Sequence, residues 1–229
     1  MKKTFYTELA YIIGIVFLAF GTSFTILGDF GLSVVVAPAY TVYLILSEIF
    51  PFFTVGMSEY VMQGVLIIIL ALIVRKFKKI YLYSFITALI YGMLLDLFKF
   101  INGRIFYSCG DILAVRIILF TVGIVIVAFG VASIFNTYIT PEIYELTVTE
   151  ISKKFNLDAS KVKIGFDISM LLLTIILNLI FFRGINFSSI GIGTVVTAFV
   201  NGYIIGLYNK FLNKNFVFKD KFALRKYFE

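Results

Sequence analysis

The chain has no histidine and a single cysteine among its 229 residues. Without histidine it lacks the commonest general base and metal ligand, and with Cys109 alone an internal disulfide is excluded. There is no glycine loop ending in Lys-Ser or Lys-Thr for phosphate, no Cys/His cluster, and no nucleophile motif beside a base. These absences argue against an enzyme and leave no residues that would call for a cofactor or a metal. Charge is scarce as well. Only 14% of residues are charged while 61% are hydrophobic, against roughly 45–50% apolar in ordinary soluble domains. A water-soluble chain of this length could not hide that much apolar surface. Lys2-Lys3 precede an apolar run, but no small-residue cleavage site follows, so the run is read as a span and not as a signal peptide.

What is present is a series of apolar runs, several longer than the roughly 18 residues that mark a membrane-crossing helix. They predict an all-α polytopic membrane protein with six spans, at about Leu9–Leu27, Met57–Val74, Ile80–Phe100, Leu113–Asn136, Val162–Phe182 and Ser188–Lys210. Two shorter segments, 36–50 and 141–155, do not fit that plan. The second carries Glu142, Glu145, Glu150, Lys153 and Lys154, and a charge at the centre of a span costs roughly 2.5–3.5 kcal/mol. Both read as short interfacial or re-entrant helices, whose non-helical ends need protein or water to cover them.

The chain also repeats itself. Gly14-Ile15-Val16-Phe17-Leu18-Ala19-Phe20-Gly21 returns 109 residues later as Gly123-Ile124-Val125-Ile126-Val127-Ala128-Phe129-Gly130, with six of eight residues identical. Further echoes follow in the same order, the last aligning Tyr91-Gly92 with Asn201-Gly202. The reading is one membrane domain over 1–229, with repeats at 8–103 and 112–211 and a basic cytoplasmic tail at 212–229. Gly14 and Gly21, like Gly123 and Gly130, lie two helical turns apart on one face, where small residues let another helix come close.

Lysine and arginine set the expected topology. With six spans and a cytoplasmic N-terminus, sixteen fall on the inner side and four (Lys99, Arg104, Arg116 and Arg183) on the outer, a strong positive-inside bias. Both termini are then cytoplasmic and Cys109 lies outside. The basic residues flank hydrophobic runs, which fits lipid headgroups and not nucleic acid. Three spans per repeat is an odd number, so the second copy is expected to insert upside down, a plan in which sites form where the halves meet.

Polar residues within spans are the leads to such a site, because ionisable groups in a membrane usually face an interior or an aqueous path. Asp167, Asp96, Asn201 and Tyr91 are the candidates. Asn201 and Tyr91 are expected to border one cavity between the halves, with Asp167 toward its inner mouth. The competing explanation for the acids is helical ion pairing, Asp167 with Lys163 and Asp96 with Lys99. Glu8, Glu48 and Glu59 lie near span boundaries and are expected to be solvated.

One stretch carries a resemblance. Ile190-Gly191-Ile192-Gly193-Thr194-Val195-Val196-Thr197-Ala198-Phe199, with Gly31-Leu32, Pro38 and Leu94-Leu95-Asp96-Leu97, resembles the bacterial YczE/YyaS/YitT family of multi-spanning membrane proteins, most closely its YczE-like branch. The likeness covers nearly the whole chain and implies a bacterial cell membrane. Where that family often has an acid before the proline, this chain has Ala37-Pro38. The family implies no established activity. The expectation is a small-molecule permease or secondary transporter. The alternatives are a non-transporting accessory or scaffold protein and a substrate-binding subunit of a larger transport complex. Implied partners are the lipid bilayer and a small-molecule substrate, with self-association or a partner membrane protein left open.

Overall fold

The computed structural model describes residues 2–107, 112–157, 159–223 and 225–227. Among the described residues there are eight α-helices: α1 (Thr7–Gly28), α2 (Ala37–Ile49), α3 (Val55–Val74), α4 (Lys79–Ile105), α5 (Leu113–Phe135), α6 (Ile143–Phe155), α7 (Ala159–Phe182) and α8 (Ile192–Asn215). Six of them, all but α2 and α6, are long and apolar enough to cross a bilayer. The two short helices fall where the sequence sets its two charged or interrupted segments. Cys109 lies outside the described residues.

Local chemistry sets the ends of these helices. The Thr54 hydroxyl accepts from the Met57 amide at 3.1 Å and opens α3, satisfying a backbone donor that has no partner within the helix. Pro38 sits in the first turn of α2, where a missing N–H costs nothing. Asp29, Arg75 and Asn156 close α1, α3 and α6 in the left-handed conformation.

The bundle is built on the α1–α5 pair. A Cβ on Gly14 would lie 2.9 Å from the Gly130 carbonyl, and one on Gly21 would lie 2.8 Å from the Gly123 carbonyl. Further along, Gly28 faces Arg116 and Phe120, so the two helices run antiparallel with backbone nearly touching backbone. Around this pair α4 packs on α1 and α8 on α5, while α2 packs on α7 and α6 on α3. Helices α3 and α4 also pack along each other; among the described residues α7 and α8 do not do so to a comparable extent.

Two apolar clusters fill the interior. One joins Leu66, Ile67 and Leu70 of α3 with Ile143, Tyr144 and Leu146 of α6 and Phe166 and Met170 of α7. The other joins Ile15, Ala19 and Ile26 of α1 with Tyr40 of α2 and Tyr91 and Leu95 of α4.

Both short helices begin inside the bundle. At the far end of α6, Lys154 donates to the carbonyls of Ile73 and Val74 at 3.0 and 2.6 Å, where α3 finishes. At the near end, the Ile143 amide donates to Gln63, eleven residues back along α3, or about 17 Å at 1.5 Å per residue. Helix α6 therefore starts at mid-depth and runs out beside the second half of α3. Its charged C-terminal turn reaches the bundle end.

A feature with no sequence signal closes the molecule. Residues Lys3–Tyr6 (β1) pair in parallel with Phe216–Lys219 (β2), Thr7 donates to Asp220 at 3.0 Å, and Glu8 accepts from the amides of Lys221 and Phe222. Both termini thus lie at one end of the bundle, as an even number of crossings requires. Helix α8 runs on to Asn215, so residues 212–215 belong to the helix and the tail is folded back onto α1.

Candidate functional site

The interior polar groups gather where α6 begins. Glu59 and Gln63, four residues apart on one face of α3, are both fully buried at 0% exposure. The Gln63 side chain accepts from the Ile143 amide at 3.1 Å, which fixes the amide orientation. Its nitrogen then points at two carboxyls, 2.7 Å from Glu142 Oε2 and 3.4 Å from Glu59 Oε2. The Tyr144 hydroxyl donates to the same Glu59 oxygen at 2.8 Å. These residues are 79 to 85 positions apart in sequence.

The chain that delivers Glu142 is held by hydroxyls. Thr87 donates to the Thr140 carbonyl at 3.0 Å, Ser84 donates to the Pro141 carbonyl, and Tyr11 hydrogen-bonds Thr87 at 2.8 Å. Pro141 needs no amide partner, so these bonds serve the irregular backbone that a membrane interior would otherwise leave without partners. Farther out, Glu150 accepts from Tyr81 and pairs with Lys78. Glu59 Oε1 and Thr140 Oγ1 are buried with no hydrogen-bond partner.

Electrostatically this junction is uncompensated. Among the described residues no lysine or arginine forms an ion pair with Glu59 or Glu142. The start of α6 carries the positive end of a helix dipole, equivalent to about half a charge at most. Burial first, and then the Glu145 and Glu59 carboxyls, push Glu142 well above the usual carboxylate range; the hydrogen bond from Gln63 opposes this.

The corresponding place at the start of α2 is uncharged. Asn178 of α7 donates to Thr41 at 3.4 Å and to Ser189 at 3.1 Å, and accepts from the Asn186 amide at 2.8 Å. Nearby, the Leu32 amide donates to the Ser189 carbonyl at 3.2 Å and the Gly193 amide to the Phe30 carbonyl at 2.7 Å. Gly31, at φ +88°, abuts Gly191 so closely that neither has room for a side chain.

The structure does not bring the four sequence-predicted residues together. Tyr91 is sealed in the α1–α4 core, donating to Thr22 at 3.3 Å. Asn201 stands half-buried on α8, whose chief neighbour is α5, and its side-chain oxygen has no partner. Asp167 is paired with Lys163 at 2.8 Å, both side chains about one-third exposed. Asp96 caps α3, accepting from Thr54 at 2.6 Å and the Gly56 amide at 2.8 Å, while Lys99 turns to the Tyr43 ring instead. The expected cavity shared by Tyr91 and Asn201 is therefore corrected: α8 lies against α5 and α4 against α1 and α3. A cavity of about 330 Å³ lies between α5 and α8 with an apolar lining. Another, of about 340 Å³, lies where α3 starts and α4 finishes, beside Asp96, Lys99 and Arg104. Neither takes Tyr91 or Asn201.

Glu59 is the second correction. It is not solvated at a boundary: α3 starts at Val55, which carries Glu59 a full turn inside, and α6 then covers it. Glu48, by contrast, is exposed.

Six apolar helices around a buried polar junction define a multi-pass membrane protein. Residues 5–210 match the family of unknown function DUF6198, and the chain belongs to it. It is similar to the uncharacterised protein YyaS of Bacillus subtilis strain 168, 29% identical over 212 residues that cover 92% of this chain and 96% of the relative. This agrees with the resemblance to the YczE/YyaS/YitT family carried by the glycine motifs, two of which, around Gly31 and Gly191, touch in the fold; the relative is YyaS and does not bear on the YczE-like branch. No solved structure matches the chain.

Proposed function

We propose that the protein is a small-molecule permease, a secondary transporter made of two inverted halves, with its cargo site where α6 meets α3 and α4. One observation carries this reading. Two carboxyl side chains, Glu59 and Glu142, are buried in a membrane-spanning bundle at the start of a half-length helix contributed by the other half. Charged groups in membranes are rare and mark ion or substrate paths, and half-helix termini at mid-depth are a recurrent way of building transporter sites.

Support for inverted halves comes from reciprocal packing. Gly14 meets Gly130 while Gly123, its counterpart, meets Gly21, counterpart of Gly130. Likewise α2 on α7 answers α6 on α3, and α1 on α4 answers α5 on α8. The lysine and arginine count favours termini on the cytoplasmic side of a bacterial plasma membrane.

The test is a panel of small metabolites screened for thermal stabilisation of the purified protein, followed by uptake of the stabilising compounds into proteoliposomes. At least one is expected to accumulate, and a folded Glu59→Gln variant is expected to lose that uptake. Stabilising compounds that never cross, or a folded Glu59→Gln protein that transports as well as the parent, would refute the permease reading.

A further inference from the structure

The Glu59–Glu142 junction poses a question that the permease reading leaves open: which ion travels with the cargo. Both carboxyls converge on one Gln63 side-chain nitrogen. That nitrogen is held in place because the amide oxygen is committed to the Ile143 backbone. A metal ion between the two acids would need an oxygen where the structure puts an N–H donor. The donor set suits carboxyl groups that share protons and does not suit a coordinated cation.

The surrounding groups agree. On α3 the pair is faced by Gln63, on α6 by Tyr144 and Glu145, on α4 by Ser84, Thr87 and Tyr91, and on α1 by Tyr11. From α2, Tyr43 turns away toward Lys99. From α7, Lys163 is engaged by Asp167, and burial raises Glu145 above the usual carboxylate range with Lys163 only opposing it. Two full negative charges this close in a dry interior are strongly unfavourable, and one carboxyl then stays neutral. Glu59 offers a place for the proton: its Oε1 is buried and has no hydrogen-bond partner.

We infer that Glu59 and Glu142 hold one proton between them and release it when the α3–α6 junction opens to water, making a proton the coupling ion of this protein. In the closed form one carboxyl is neutral and the other charged. Tyr144 donates to Glu59, and Gln63 donates to both. On opening, the proton leaves to water and both carboxylates remain, each still served by the Gln63 amide. Binding of the proton stands on the geometry alone; its role as coupling ion rests on the permease reading.

The test is infrared difference spectroscopy of the purified protein titrated from acid to alkaline pH, following the carbonyl-stretch band that protonated carboxyls have and carboxylates lack. The parent is expected to keep one such band at neutral pH and to lose it on alkalinisation. Glu59→Gln and Glu142→Gln, checked for folding by thermal melting, are each expected to lack it. A parent with no protonated band at neutral pH, or a folded variant of either residue that keeps the whole band, overturns the inference. Should neither variant fold, dicyclohexylcarbodiimide, which modifies protonated acids in apolar surroundings, locates the proton in the parent by mass spectrometry. An adduct on Glu59 or Glu142 supports the inference, and modification confined to other acids overturns it. The two readings fail separately. A band without uptake of any compound removes only the permease reading, and uptake without the band removes only the proton.

Discussion

Glu59 owes its interest to what surrounds it and not to its charge alone. A buried carboxyl is tolerated only where hydrogen bonds replace water, and here Tyr144 and Gln63 supply them to a single oxygen. Glu59→Ala would leave both donors without an acceptor, at a cost of about 1–3 kcal/mol for each orphaned buried group. Glu59→Gln keeps shape and an acceptor. In detergent melts, the alanine variant is expected to unfold well below the parent and the glutamine variant near it. The same junction gives stability a pH dependence. Glu142 has its affinity for a proton raised on folding, so the folded state binds more protons than the unfolded one above the ordinary value of 4.5. Stability from this group is then fully present below that value and declines as pH rises toward the raised one. Melting temperature should fall with rising pH over that window, and Glu142→Gln should flatten the fall. A parent whose melting temperature rises through the same range would contradict this.

At the scale of elements, helix contacts decide what a substitution does. A side chain at Gly21 or Gly130 meets backbone within 2.8 Å on the opposing helix. Leucine at either position must separate α1 from α5. Both variants are expected to lose stability by similar amounts, at least the 1–3 kcal/mol typical of overpacking, measured as lowered melting in detergent. Docking of α6 is the second case. Glu150 is 5% exposed and joins Tyr81 and Lys78 to α6. Glu150→Ala is expected to speed hydrogen exchange in α6 while leaving α1 and α5 protected.

The six spans were legible because a bilayer demands long apolar runs, and the two short helices because charge and Pro38 interrupt theirs. The site was not legible. Its pairs join positions some 80 residues apart, and Glu59 is a boundary residue unless α3 is known to begin at Val55. Repetition in the letters also misled. Gly92 and Gly202 align, yet a Cβ on Gly92 would strike the Tyr60 ring while Gly202 has no neighbour within 4 Å. Equivalent sequence did not mean equivalent packing, so Tyr91 is buried and Asn201 is not.

For the whole molecule, the paired terminal strands make a topological statement without any membrane present: the two ends of the chain share a side. Reporters of compartment fused to either terminus in cells are expected to give the same answer, cytoplasmic by the lysine and arginine bias. Opposite answers would break the six-span plan. The strand pair has a mechanical consequence too. It fastens the start of α1 to the finish of α8, so those two helix ends cannot part unless the strand hydrogen bonds break first, and any spreading of the bundle at that end has to leave these two helices tied.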